Sequence, residues 1–277
     1  MQNLQDAIQQ AAAAIKGADA LLVTAGAGMG VDSGMPDFRG PEGFWKAYPP
    51  FKNLGLDFVA MANPRWFHKD PEMAWGFYGH RLNLYRDTAP HAGFGILQSW
   101  ALRMPEGGHV FTSNVDGHFQ RGGFDEDIVT EVHGSILFAQ CMKECGAGIF
   151  PADEFQIGID ESTFRCAQPL PVCPHCGGLA RPNVLMFGDG SWDPARTVQQ
   201  EMRLENWLDN VYGKLVVIEL GAGCAVPTVR AFSETVCENR PSTLIRINVR
   251  EAEGPKGCIE LPLGALQALR ALSAAVG

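Results

Sequence analysis

The stretch "LLVTAGAGMG", residues 21–30, most constrains what this chain can fold into. A continuous apolar run bounded by glycine is the pattern of a parallel strand covered on both faces. Gly26, Gly28 and Gly30 fall where that strand ends. Glycine lets the backbone approach a pyrophosphate closely and take up positive φ, so this turn is a candidate phosphate cradle. Similar short runs recur at 109–114, 127–132, 214–220 and 243–249, and helical patterns lie at 4–16, 91–103, 194–210, 226–238 and 263–274. Strands alternating with helices predict an α/β fold built on a doubly wound, Rossmann-like parallel sheet.

Two stretches break this rhythm. Residues 41–90 are rich in aromatics and prolines around a helical centre at 71–87, and residues 138–180 hold five of the eight cysteines. Cys141-x₃-Cys145 and Cys173-x₂-Cys176 are separated by a 27-residue gap. Two short-spaced pairs on two loops suit four thiolates around one tetrahedral zinc ion, a closed and therefore structural site. The glycines of "CPHCGG" free backbone amides to bond the thiolates, and Cys166 and His175 compete as ligands. Cys224, Cys237 and Cys258 read as core or pocket-lining thiols. The expected organisation is a discontinuous Rossmann-like domain of 1–40, 91–137 and 181–277. A helical insertion, 41–90, and a zinc-binding insertion, 138–180, form a smaller second domain.

The 277 residues carry a formal charge of −9. That balance disfavours a nucleic-acid or anionic membrane partner, either of which needs a basic surface. The start of the chain shows no basic and apolar leader pattern, and no apolar run reaches membrane-spanning length. The expectation is a cytoplasmic protein.

The glycine turn departs from a dehydrogenase fingerprint, which needs a third glycine where Val31 stands. It also needs an acid about twenty residues on, at a strand tip, where this chain reads "KAYPPFKN". Instead the turn runs into "SGMPDFRG", residues 33–40, a proline-interrupted loop with an acid, an aromatic and a cation.

"GAG" followed by "SGMPDFRG" resembles the first signature of sirtuins, NAD-dependent protein deacylases. Further segments match in order along nearly the whole chain: "TSNVDGHFQRGG" (112–123), "EVHGS" (131–135), "ARPNVLMFGD" (180–189) and "INVRE" (247–251). The resemblance implies that NAD is a co-substrate lined by Ala25, Gly26, Ala27 and Gly28. Asp37 would hold the loop, Phe38 would shield the reactive ribose carbon and Arg39 would approach phosphate or ribose. Asn114 and Asp116 would form the nicotinamide pocket and His133 would be the catalytic base. Asn248 would meet the adenosine ribose and Cys258 the adenine. Phe187, Gly188 and Asp189 would pair with an acyl-lysine peptide as an added strand. Tyr78 and Arg81, spaced i, i+3 on a helix, resemble the Tyr-x-x-Arg of sirtuins that prefer succinyl- or malonyl-lysine. A guanidinium fork and a hydroxyl suit a carboxylate inside an apolar tunnel.

Several positions depart from the family pattern. Gly30 replaces a serine, and Ser113 replaces a glutamine that contacts the ribose. His118 and Phe119 stand where a Leu-His pair is usual. Gly221-Ala222-Gly223 replaces a Gly-Thr-Ser phosphate turn, and Asp189 replaces a glutamate. The resemblance is thus to a divergent, bacterial-type branch. The expected function is an NAD-dependent lysine deacylase that yields nicotinamide, free lysine and O-acyl-ADP-ribose, accepting acidic acyl groups as well as acetyl. The rebuilt ribose contacts keep an NAD glycohydrolase or mono-ADP-ribosyltransferase as the second reading, and a non-catalytic NAD-sensing protein as the third.

Overall fold

The computed structural model describes residues 3–36, 40–143, 145–160 and 162–277. Helix α1 (Leu4–Lys16) leads into strand β1 (Ala20–Ala25). Six helices follow: α2 (Gly40–Ala47), α3 (Pro49–Asn53), α4 (Phe58–Met61), α5 (Arg65–Lys69), α6 (Pro71–Asp87) and α7 (Ala92–Ala101). Then come β2 (Gly108–Thr112), α8 (His118–Arg121) and β3 (Val129–Glu131). The middle of the chain forms β4 (Gly134–Cys141), β5 (Ile149–Pro151), β6 (Ile159–Asp160), β7 (Arg165–Cys166) and β8 (Ala180–Val184). It closes with α9 (Ala195–Asp209), β9 (Leu215–Leu220), α10 (Thr228–Asn239), β10 (Ser242–Ile247), β11 (Ile259–Leu261) and α11 (Ala265–Val276). Among the described residues no helix is long and apolar enough to cross a membrane.

The expected α/β fold is present as a six-stranded sheet in the order β11-β10-β9-β1-β2-β3, parallel throughout. The chain first builds outward from β1 to β3 and then returns to the other side of β1. The order therefore reverses between β1 and β9, and ligands bind outside the carboxyl ends of the strands at such a point. Strand side chains alternate between two cores. Leu21 and Val23 of β1, with Val216 and Ile218 of β9, pack under α1, α7 and α11. Leu22 and Val217 pack on the opposite face under α9 and α10.

That second face also carries a buried polar row. Thr24, Glu219 and Arg246 are cross-strand neighbours on β1, β9 and β10. Thr24 Oγ1 lies 2.8 Å from Ser233 Oγ on α10. Arg246 Nε donates to Glu219 at 2.6 Å and Nη2 to Glu234 at 2.7 Å.

A third core joins the two stretches that break the strand–helix rhythm. Phe44, Tyr48, Phe51, Phe67, Trp75 and Phe77 pack with Ile136, Ile157, Cys166 and Val184. Helix α6 is buried on most of its faces. At Gly76 the hairpin passes so close that a Cβ would sit 1.8 Å from the Phe164 carbonyl oxygen. Strands β5-β4-β8 form an antiparallel sheet here that the sequence pattern does not announce. Strand β8 reads Ala-Arg-Pro-Asn-Val and is buried throughout, because its polar side chains find internal partners. Arg181 pairs with Asp189, and Asn183 Nδ2 donates to Gln140 at 3.0 Å and to the Asp193 carbonyl at 2.9 Å. Strand β11, only three residues long, and the two-residue strands β6 and β7 are also not anticipated.

Truncating Glu219 leaves the Arg246 cation buried with one partner fewer. Glu219→Ala should therefore lose about 3 kcal/mol of stability. Urea denaturation checks this; a change below about 0.5 kcal/mol, the range of ordinary surface substitutions, would contradict it.

Candidate active site

A cavity of about 580 Å³ opens at the carboxyl ends of the sheet strands. Its floor is made by two backbone turns in contact. Gly26 N–H donates to the Leu220 carbonyl and Gly28 N–H to the Gly221 carbonyl, each at 3.0 Å. A Cβ on Gly28 would sit 2.6 Å from Gly221 Cα, so only glycine permits this approach. Gly221 itself has φ +61°. Gly26, Ala27, Gly28 and Gly30 all face the cavity, as do Gly221, Ala222 and Gly223. A floor of this kind lets a ligand lie close against the backbone.

The tail of β2 forms the next wall. Thr112 Oγ1 donates to the Ala25 carbonyl at 3.0 Å, and Asn114 Nδ2 donates to the Gly26 carbonyl at 3.0 Å. The bond from its amide turns the carboxamide of Asn114 against the glycine turn. Asp116 is 8 % exposed and its Oδ1 accepts the His118 N–H at 2.9 Å. Ser113, Asn114 and Asp116 all line the cavity, and so does His133, two residues beyond β3. The His133 ring bonds the Ser113 backbone, and burial nonetheless holds its pKa below the usual histidine range. It is therefore a neutral imidazole near pH 7.

At the far end stand Tyr78 and Arg81 from α6, joined by Tyr85. Arg81 Nε donates to Tyr85 Oη at 3.0 Å. Burial, opposed by Arg81, pushes both tyrosine hydroxyls up, so both keep their protons. The rim is apolar: Val59, Leu185, Phe187 and Val226 are exposed at the cavity mouth. Leu185 N–H bonds the His133 carbonyl and Phe187 N–H the Ala62 carbonyl, both at 2.9 Å. Asn63 Nδ2 closes on the Phe187 carbonyl at 3.0 Å.

Other expected site residues stand off the cavity wall. Ala25 is fully buried in β1. Asn248 is 3 % exposed and spends both ends of its amide internally, donating to the Ala222 carbonyl at 2.8 Å and accepting Arg250 N–H at 3.2 Å. It shapes the 221–223 turn. Cys258 lies beside Gly254, its thiol pushed up to about 11 by burial. Gly188 and Asp189 lie beyond the rim residue Phe187, and the Asp189 side chain is buried against Arg181. Burial works against its charge, yet the Arg181 fork holds it below the usual carboxylate range. Asp37, Phe38 and Arg39 lie outside the described residues. Sequence reasoning missed Met35, Phe58, Val115 and Tyr85, which also line the cavity. Apolar wall residues carry no signal that separates them from core.

The four expected cysteines come together, with all four Sγ atoms within 4.8 Å of one another. Cys141 and Cys176 Sγ are 3.6 Å apart, as are Cys145 and Cys173. A tetrahedral zinc with Zn–S bonds of about 2.3 Å needs sulfurs roughly 3.8 Å apart, so the donors fit zinc. Lys143 N–H and Gly178 N–H point at Cys141 and Cys176 Sγ. Cys166 is outside the cluster and bonds the Ala167 carbonyl; His175 Nδ1 contacts Cys145 Sγ at 3.5 Å from outside the ligand set.

Fold and cavity together define a nucleotide-binding α/β protein with a second module held by a zinc-type cysteine cluster. The Sir2 family model matches residues 26–211, and the chain belongs to the Sir2 family, the sirtuins. It is 36 % identical over 169 residues to NAD-dependent protein deacylase 2 of Pyrobaculum aerophilum, covering 61 % of this chain and 58 % of that one. It is 34 % identical over 195 residues to an NAD-dependent protein deacylase of Thermus thermophilus, covering 68 % of each. The chain thus spans about three-fifths to two-thirds of these relatives' length. A solved structure of a Sir2 homologue with NAD superposes with TM-score 0.70 and 25 % identity, covering 97 % of this chain and 94 % of that one.

Cys173→Ser should lower bound zinc from stoichiometric to near zero and expose the aromatic core of α2–α6; metal analysis and a dye for apolar surface read the two effects. Gly28→Val should abolish NAD binding by forcing the two turns apart, which calorimetric titration checks; wild-type affinity in that variant would contradict the cradle.

Proposed function

We propose that this protein is an NAD-dependent protein-lysine deacylase, and that it accepts acidic acyl groups, succinyl or malonyl, as well as acetyl. One observation carries the reading. The glycine cradle, Asn114 and Asp116, a neutral His133 and a buried arginine all face the same cavity.

NAD fits as co-substrate. The 26–30 and 221–223 turns would hold its pyrophosphate, and Asn114 with Asp116 its carboxamide. On loss of nicotinamide, bound NAD would supply an electrophilic ribose carbon for the acyl oxygen of the lysine amide; one water then releases free lysine and leaves O-acyl-ADP-ribose. Asp116, as an acceptor, orients the carboxamide so that the leaving ring departs from one geometry. His133, already unprotonated, takes a ribose hydroxyl proton as general base, its other ring nitrogen fixed by the Ser113 backbone. Met35, Phe58 and Val115 keep the reacting centre dry. The peptide enters at the apolar rim. Phe187 already bonds the 62–63 segment through both its backbone groups, and the Met186 N–H is held by Asp189, so strand-like pairing would use the Met186 carbonyl and Gly188.

Arg81 and Tyr78 support the acidic preference. A carboxylate reaching the inner wall meets a buried guanidinium and a neutral hydroxyl donor, while an acetyl group meets only the apolar wall.

Incubation with NAD and a panel of acetyl-, succinyl-, malonyl- and long-chain acyl-lysine peptides, read by mass spectrometry, tests this. O-acyl-ADP-ribose is expected; free ADP-ribose formed without peptide would establish the glycohydrolase instead. His133→Ala should cut turnover by about 10²–10⁴-fold with the fold intact. Because burial holds the His133 pKa down, the acid limb of kcat/KM should fall below the ordinary histidine value of about 6.5. A limb above 7 would exclude His133 as the titrating base. Arg81→Met should remove desuccinylation and spare deacetylation; equal loss of both would refute the acyl assignment.

A further inference from the structure

We propose that Tyr85 is a positioning residue for Arg81 and thereby sets selectivity for acyl groups that end in a carboxylate. The proposal rests on the acyl reading above and adds a residue to it. Tyr85 stands one helical turn beyond Arg81 on α6, so the two side chains share a face. Its hydroxyl oxygen accepts Arg81 Nε–H at 3.0 Å. Each residue is only 6 % exposed, and both line the cavity that His133 and Asp116 line.

The guanidinium is also boxed in by rings. Its carbon lies 5.3 Å from the Phe77 centroid, 5.4 Å from Tyr85, 5.8 Å from Tyr78 and 5.9 Å from Phe58. Rings at that distance attract a cation by their quadrupoles but do not fix its plane. A directional bond to Nε does. Arginine has a large rotamer entropy, and its value as a carboxylate receptor lies in a pre-set planar fork. With Nε held, an entering carboxylate meets the guanidinium in one orientation instead of several. Tyr85 spends an acceptor lone pair on Arg81 and keeps its own hydrogen, which it can direct to an acceptor in the cavity.

Tyr85 is itself anchored. Arg121 from α8 donates through Nη1 to the Tyr85 carbonyl and, at 2.9 Å, to the Thr88 carbonyl. The end of α6 is thus tied to the helix that begins two residues after Asp116. The backbone that carries Tyr85 is held by the helix next to Asp116. A neutral acetyl group makes no use of the arrangement, so the effect falls on selectivity.

Steady-state kinetics of wild type, Tyr85→Phe, Tyr85→His and Arg81→Met test this, with succinyl- and acetyl-lysine forms of one peptide. Tyr85→Phe should raise KM for the succinyl peptide, and the succinyl-to-acetyl ratio of kcat/KM should fall about tenfold. The KM for NAD should move less than about twofold, which separates loss of positioning from general damage to the cavity. Tyr85→His retains a ring acceptor and should give a ratio between wild type and Tyr85→Phe. Both variants keep an aromatic ring in the core, and their melting temperatures are measured alongside. If Arg81→Met loses the succinyl preference while Tyr85→Phe keeps the wild-type ratio, the role given to Tyr85 is overturned and the acyl reading stands. If neither variant moves the ratio, both are overturned.

Discussion

Two backbone turns touch at the centre of this molecule, and nearly everything that matters for ligand binding is arranged around that contact. Gly28 and Gly221 stand at the ends of neighbouring strands β1 and β9, where the order of the sheet reverses. They approach so closely that neither can carry a side chain. The polar residues nearby are spent on keeping the contact in register. Thr112 holds the Ala25 carbonyl, Asn114 the Gly26 carbonyl and Asn248 the Ala222 carbonyl. The ends of β1 and β2, and those of β9 and β10, are thereby laced by side chain-to-backbone bonds, and the Gly26 and Gly28 amides join β1 to β9. Carbonyls are drawn into the scaffold, and the cavity floor is left glycine-lined.

The buried charges serve the edges of that surface. Arg246 with Glu219 and Glu234 stiffens the β9–β10 side, and Arg181 with Asp189 folds the segment that leaves β8. Glu131 pairs with Arg196 two residues before His133. The carboxylates of these last two pairs respond differently to burial. Asp189 stays below its usual range because the Arg181 fork and two backbone amides outweigh desolvation. In Glu131 desolvation outweighs Arg196 and Gln200, and its pKa is raised.

How much of this was legible in the sequence follows from where each residue's partners lie. Strands β1, β2, β9 and β10 are covered on both faces, so each is a largely apolar run that declares itself locally despite Thr24, His109, Glu219 and Arg246. Strand β8 contains arginine, proline and asparagine and reads as loop, because its partners Asp189, Gln140 and Asp193 come from elsewhere in the chain. Strand β11 is too short to show any period. The Cys₄ cluster was readable because ligand spacing is itself local. Asn248 and Asp189 mark the other limit. A motif offers them as site residues, but only three-dimensional bookkeeping shows that their polar ends are already committed to Ala222, Arg250 and Arg181. Tyr85 was invisible for the opposite reason: nothing distinguishes it from core until its hydroxyl is seen at Arg81.

Strand β4 joins the two chemical features of the molecule. It begins at Gly134, directly after His133, and ends at Cys141, the first of the four clustered cysteines; it is eight residues long. At about 3.3 Å per residue, that length puts the cysteine cluster on the order of 25 Å from the imidazole. A metal there is too distant to polarise anything in the cavity, and with four thiolates it has no position for a substrate or water. What it holds is the far end of the strand. It clamps β4 to the 173–178 knuckle, which runs into β8, the neighbour of β4 in the small sheet. That sheet packs on α6, the helix that carries Tyr78, Arg81 and Tyr85. On the proposed reading the cysteine cluster bears on the cavity through the placement of one helix against one strand, by fixing how far Arg81 stands from His133.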